Sequence, residues 1–123
     1  MIAVIDLDTI LIKSETSIQD YDVFPEYKPH KLMIALTSAL YRAGVEVLIV
    51  SDFNFRLKFQ IQAWLDKHGA KYTQLKLRHT SPTVQSKYNL LSNLNVDDIL
   101  CVLSNETFII NKLKSLNIVC LQA

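Results

Sequence analysis

Apolar positions along this chain come in short blocks separated by polar stretches with helical spacing. Residues 2–7 form the first block, an apolar run with β-branched members and Asp6 set near its end, the pattern of a strand covered on both faces. After Pro29 the spacing changes: Leu32, Leu36, Leu40 and Ala43 recur at the helical period, and Gly44 supplies the stop. "VEVLIV" at 45–50 reads as a second buried strand, with Asp52 or Asn54 placed to cap the next helix. That helix draws its apolar face from Leu57, Ile61, Trp64 and Leu65 and ends at Gly69. "KYTQLKLR" at 71–78 half-alternates, which suits a strand at a sheet edge. In "SPTVQSKYNLLSNL", Ser81 stands as a cap and Pro82 in the first helical position. A fourth strand is predicted at 98–103, a helix at 107–116 and a fifth strand at 118–122.

Strands alternating with helices of this length imply βαβ units and a parallel sheet. With 123 residues, the span 1–123 is expected to form one domain. Residues 12–28 break the rhythm. They are polar and aromatic-bearing, and read as a short flap-like excursion over one end of the first strand, packed down by Tyr21, Phe24 and Tyr27. The formal net charge of +1 provides no global attraction to nucleic acid or membrane, so any electrostatic recognition must be local. No apolar stretch reaches the length of a membrane span, and the N-terminus has no secretory leader, so a cytoplasmic location is expected. Cys101 and Cys120 lie in apolar runs and read as buried free thiols. His30 and His68 lack metal-ligand spacing.

In open α/β sheets, ligands bind outside the carboxyl ends of the strands. Asp6 and Asp8 sit at such an end, which explains charge in an otherwise apolar segment. Ser51 follows the second strand, Arg78 and His79 the third, and Asn105 and Glu106 the fourth; Lys87 precedes the fourth. Two carboxylates, a hydroxyl and an ammonium at one sheet edge suit metal-assisted phosphoryl transfer. One carboxylate can attack phosphorus, and a second can protonate the leaving oxygen and later activate water. Mg²⁺ and lysine offset the phosphoryl charge.

The ordered set "DLD", "VLIVS" and Lys87 in "SKYNLL" resembles the haloacid dehalogenase superfamily of phosphatases. Within it, the layout looks most like the phosphatase domains of phage polynucleotide kinase–phosphatases, on "QAWLDKHGA", the strand ending in Arg78, the spacing from Lys87 to Asn105 and the terminal "LNIVCLQA". The resemblance implies a Rossmann-like three-layer α/β sandwich with a five-stranded parallel sheet in order 5-4-1-2-3. No gap in the chain is long enough for that family's large cap domain. It also implies Asp6 as nucleophile, Asp8 as general acid and base, and Ser51 and Lys87 as holders of the phosphoryl group. Mg²⁺ would rest on Asp6, Asp8 and Asn105, with Glu106 as an alternative ligand.

Two positions depart from the pattern. Thr9-Ile10 replaces the usual Gly-Thr, and Asn105 replaces an acid at the fourth motif, which predicts weak Mg²⁺ binding. Asn105→Asp is then expected to raise activity. Arg78, His79 and Thr9 are the expected substrate contacts, and a nucleic-acid 3′-phosphate or a nucleotide the expected substrate. With only Gly44 and Gly69, a glycine-rich phosphate loop of the kinase type is excluded. The competing reading is a non-catalytic module of the same fold that binds phosphorylated ligands or a protein partner.

Overall fold

The computed structural model describes residues 1–14, 17–79, 86–91 and 94–123. In chain order its elements are β1 (Ile2–Asp6), a wide π-type turn (Leu7–Leu11), β2 (Ile12–Lys13), β3 (Lys28–Pro29), α1 (Lys31–Arg42) and β4 (Glu46–Asn54). Then follow α2 (Lys58–Lys67), β5 (Gln74–Arg78), α3 (Ser86–Leu91), β6 (Ile99–Leu103), α4 (Thr107–Lys114) and β7 (Cys120–Leu121). Five of these strands form one parallel sheet in spatial order β5-β4-β1-β6-β7.

The expected numbering 5-4-1-2-3 does not carry over. β2 and β3 had left no periodic trace in the sequence, because two-residue strands are too short to alternate. They pair antiparallel as a separate ribbon, Ile12 opposite Pro29 and Lys13 opposite Lys28. The ribbon brackets the excursion foreseen at 12–28. Phe24 packs edge-on against Phe53 and Trp64, with ring centroids 5.0 and 5.9 Å apart, and Trp64 Nε1–H donates to the Tyr27 carbonyl at 2.9 Å.

Alternate side chains of the central strands supply the two faces of the sheet. Ala3, Ile5, Val47, Ile49 and Leu103 join Ile34 of α1 and Ile61, Trp64 and Leu65 of α2 in one core. Val4, Leu48, Val50 and Val102 join Leu91 of α3 and Ile109 and Leu113 of α4 in the other. The result is a three-layer α/β sandwich with β1 at its centre, so the carboxyl end of β1 opens between β4 and β6.

Several sequence expectations shift. Leu32 and Leu36 of α1 are exposed, while Ile34, Thr37 and Ser38 are buried. The Ser38 hydroxyl donates to the Gly69 carbonyl at 2.9 Å and accepts from Lys71 N–H at 3.1 Å. Those bonds turn the serine face of α1 inward and the Leu32–Leu36 stripe outward. β4 runs past Ser51 through Asp52 to Asn54, so Asp52 belongs to the strand and Asn54 caps the following turn, accepting from Arg56 N–H at 3.0 Å. Gly44 and Gly69 have φ of +88° and +79°, the left-handed helix stops their positions implied. Cys101 is buried and Cys120 half-buried, both as free thiols. The cap expected at Ser81 and Pro82 lies outside the described residues. Among the described residues no helix is long and apolar enough to cross a membrane.

Candidate active site

The backbone leaves β1 in the wide turn that Asp6 caps. Asp6 Oδ1 accepts from Asp8 N–H at 3.1 Å, and Oδ2 accepts from the Thr9 hydroxyl at 2.8 Å. Turns of this π type recur at functional sites. Here the turn brings two carboxylates to one buried spot, with Asp6 1% and Asp8 5% exposed.

Charges buried this deeply require partners. Lys87, 2% exposed, reaches in from α3. Its Nζ lies 3.0 Å from Asp6 Oδ1, 3.2 Å from Asp8 Oδ2, 2.6 Å from Glu106 Oε2 and 3.9 Å from Asp52 Oδ2. From β4, the Ser51 hydroxyl donates to Asp8 Oδ1 at 2.7 Å, and Asp52 N–H donates to Asp8 Oδ2 at 3.0 Å. Beyond β6, the Ser104 hydroxyl donates to Asp6 Oδ2 at 2.8 Å and accepts from Glu106 N–H at 3.1 Å.

Burial raises the Asp8 carboxyl above its ordinary range; the Lys87 ammonium pulls it down, and the Asp6 charge pushes it up again. Burial also pushes Asp52 up to about 7, with Lys87 opposing and Asp8, Glu106 and Asp6 reinforcing. Burial disfavours the charge on Lys87, but Asp8, Asp6 and Glu106 outweigh it and hold the ammonium well above the usual lysine range. A cleft of about 570 Å³ opens over this cluster, lined by Asp8, Thr9, Tyr21, Asn105 and Glu106 among others.

The structure thus brings Asp6, Asp8, Ser51 and Lys87 together. Thr9 joins them through Asp6, and its Oγ1 also accepts from Asn105 N–H at 3.0 Å. The side chain of Asn105, expected on a cation, is spent elsewhere: Nδ2 donates to the Thr9 carbonyl and Oδ1 accepts from Ala123 N–H, each at 3.0 Å. Glu106, the alternative ligand, meets Lys87, because the bond from its N–H to Ser104 aims it inward before α4 begins.

Arg78, expected at the substrate, is buried. Its Nε donates to the Asp52 carbonyl at 2.7 Å and its Nη2 to Asp22 Oδ1 at 3.0 Å, which ties β5 to β4 and to the flap. His79 is exposed and stacks on Phe55 rather than facing the cluster. Two members were missed, Asp52 and Ser104. Ser104 had a readable signal: "CVLS" ends β6 as "LIVS" precedes Asp52 in β4, a small hydroxyl closing a buried apolar run.

The donor set bears on a divalent cation. Among the described residues no three His, Cys, Asp or Glu side chains close around a metal-sized centre; the Lys87 ammonium lies among the acids. Asp52 Oδ1, however, is buried with no hydrogen-bond partner among the described residues, and an oxygen so placed lacks a compensating donor or cation there. Four carboxylates facing one ammonium leave negative charge uncompensated, and hard oxygens are what Mg²⁺ prefers. The oxygens are of the kind the ion takes, but among the described residues they enclose no centre for it.

The fold has solved counterparts. It matches a chain of the Pnkp1/Rnl/Hen1 complex with a TM-score of 0.83 and 15% identity, over 98% of this chain and 45% of that one. A chain of the Pnkp1/Rnl/Hen1 RNA repair complex matches with the same TM-score and identity, over 98% of this chain and 41% of that one. This chain therefore spans less than half the length of either counterpart. At 15% identity the likeness concerns the fold. No family model and no curated protein matches the sequence.

Proposed function

We propose that this chain is a phosphatase domain of the haloacid dehalogenase type, a Mg²⁺-dependent phosphomonoesterase acting on a nucleic-acid 3′-phosphate or a nucleotide. The observation that carries the reading is the convergence of Asp6, Asp8 and Ser51 on the Lys87 ammonium at the carboxyl end of the central strand. The fold likeness to chains of an RNA repair complex favours a nucleic-acid substrate over a small metabolite.

In this reading Asp6 Oδ1 is the nucleophile. Its other oxygen, Oδ2, is already engaged by the Thr9 and Ser104 hydroxyls, which fix the carboxylate's orientation. Attack forms the Asp6–phosphorus bond as the ester P–O bond breaks, and Asp8, whose carboxyl burial keeps protonated more readily, gives its proton to the leaving oxygen. The ionised Asp8 then takes a proton from water, which displaces the Asp6 carboxylate and releases phosphate. A phosphoryl group in the cleft would draw on Lys87 and the Ser51 hydroxyl, donors now turned to the carboxylates. Asp6, Asp8, Asp52 and Glu106 would hold Mg²⁺, which supplies charge neutralisation at the phosphoryl oxygens. Asn105 has no part in this set.

The test is Mg²⁺-dependent hydrolysis of p-nitrophenyl phosphate and of a 3′-phosphorylated oligonucleotide, with Asp6→Asn as control. Turnover by the natural chain that vanishes in a folded Asp6→Asn variant is the expected result. Full activity in that variant overturns the assignment of Asp6. No turnover of either substrate at any Mg²⁺ concentration favours the second reading, a phosphate-recognising module. That reading draws support from Arg78 and Asn105, both spent on internal bonds.

A further inference from the structure

Phenylalanine is usually buried, yet Phe59 is 82% exposed and Phe55 44% exposed. Phe55 opens the turn after β4, and Phe59 lies four residues further along, in the first turn of α2. Phe55 stacks on His79, ring centroids 4.5 Å apart and planes 27° from parallel. Lys58 Nζ lies 5.6 Å from the centroid of the Phe55 ring. Phe55, Lys58, Lys76 and His79 line one groove of about 390 Å³, and among the described residues lining it there is no acidic side chain.

The groove lies beside the candidate active site. Asn54 of β4 and Arg78 of β5 are register partners, and Phe55 and His79 each follow one residue later, at the carboxyl end of the sheet. Arg78 itself bonds the carbonyl of Asp52, a member of the Lys87 cluster. From the carboxylates the sheet edge thus leads past the buried Arg78 to stacked rings flanked by ammonium groups. Flat aromatic faces interleaved with cations match a single polynucleotide strand, whose bases stack on any ring and whose phosphates seek positive charge. An acidic peptide could meet the ammonium groups alone, whereas a polynucleotide offers a flat base to each open ring as well as phosphates to the cations.

We infer that Phe55 and Phe59, with Lys58, Lys76 and His79, form a sequence-tolerant platform for a single-stranded nucleic acid. This rests on the phosphatase reading of the neighbouring site. The 3′ end enters the Asp6–Asp8 cleft, and the preceding nucleotides cross the β5 edge, with bases on the two phenylalanines and phosphates on the two lysines.

Fluorescence anisotropy of a labelled single-stranded 12-mer bearing a 3′-phosphate, in EDTA, tests it. The variants are Phe55→Ala/Phe59→Ala, the single Phe59→Ser at the more exposed ring, and Lys58→Glu/Lys76→Glu; circular dichroism melting confirms that each folds. The aromatic double variant is expected to lose affinity at least about fivefold, the lower end for stacking one base. The lysine variant is expected to bind more weakly with a flatter salt dependence. A duplex of the same length should bind less well than the single strand. The platform is overturned if the natural chain binds no oligonucleotide at low salt or if the aromatic variants bind as it does. Self-association lost in Phe59→Ser, without oligonucleotide binding, also overturns it. Hydrolysis of p-nitrophenyl phosphate by the natural chain separates the two readings. Without turnover, platform-dependent binding upholds the platform and removes the phosphatase; with turnover, undiminished binding by the variants removes the platform alone.

Discussion

The strands flanking β1 end alike in sequence and differently in structure. β4 carries Ser51 then Asp52, and β6 is followed by Ser104, Asn105 and Glu106. Each serine bonds one carboxylate of the central strand end, Ser51 to Asp8 and Ser104 to Asp6. Beyond the serines the paths diverge. β4 stays extended through Asn54 and holds Asp52 in the sheet, 3.9 Å from Lys87 and with Oδ1 unpartnered among the described residues. The chain after β6 turns at once into α4, which frees Glu106 to swing against Lys87 at 2.6 Å. One flank therefore supplies a well-paired acid and the other an under-paired one. The difference in backbone path decides which of the two acids Lys87 pairs closely.

Removing the shared cation is expected to have the largest effect on this contrast. Lys87→Met leaves Asp6, Asp8, Asp52 and Glu106 without their ammonium, and breaking a buried ion pair from one side costs about 3–5 kcal/mol. The sign follows from linkage. Without Lys87 the Asp8 and Asp52 carboxyls titrate still higher in the folded chain than in the unfolded one, so stability falls as pH rises above the ordinary aspartate value of 3.8. Urea unfolding of both proteins from pH 4 to 8 should show a deficit that is small at pH 4 and grows toward neutrality. A deficit independent of pH would mean that Lys87 contributes packing rather than charge.

The serines come next. Ser51→Ala strips a donor from Asp8 and an acceptor from Phe53 N–H; Ser104→Ala strips a donor from Asp6 and an acceptor from Glu106 N–H. Each change leaves buried polar groups unsatisfied, worth about 1–3 kcal/mol in chemical unfolding. Turnover should separate them. If Ser51 also donates to the phosphoryl group, Ser51→Ala lowers kcat on the order of 100-fold, as loss of an oxyanion donor does. Ser104→Ala, which only orients Asp6, should lower it less. Equal losses would erase the functional distinction between the two flanks.

How far these features were legible depends on the range of the forces that set them. Apolar runs bounded by glycine and cap residues act locally, so β1, α2 and the β–α rhythm could be read directly, and with them the grouping of Asp6, Asp8, Ser51 and Lys87 at the strand ends. The inner face of α1 could not, because Ser38 bonds the turn at Gly69, a contact distant in sequence. Asp52 was misread as a cap since strand continuation past Ser51 depends on pairing with β5, where Asn54 meets Arg78. Asn105 looked like a ligand by position alone. Its amide reaches the Thr9 carbonyl and Ala123 N–H instead, and no spacing rule encodes that competition. Arg78 was rightly placed at the carboxyl end, but not as a partner of Asp22, which comes from the irregular flap.

The smallest expected effect is also the most specific to the under-paired flank. Burial, above all, pushes the Asp52 carboxyl up to about 7 in the folded chain, against an ordinary aspartate value of 3.8. Between those values the folded state holds a proton that the unfolded state has released, so stability declines as pH rises through the interval and levels off above it. Asp52→Asn keeps the shape and removes the titration. Its melting temperature should match the natural chain near pH 4 and exceed it by about 3–5 °C at pH 8, what about 1 kcal/mol brings in a domain of this size. Adding Mg²⁺ at pH 8 should raise the melting temperature of the natural chain more than that of Asp52→Asn, because a cation bound at Asp52 stabilises the ionised form. If Glu106→Gln showed the same pH-dependent gain and the same loss of Mg²⁺ response, the two acids would be equivalent, and the contrast between the β4 and β6 flanks would fail.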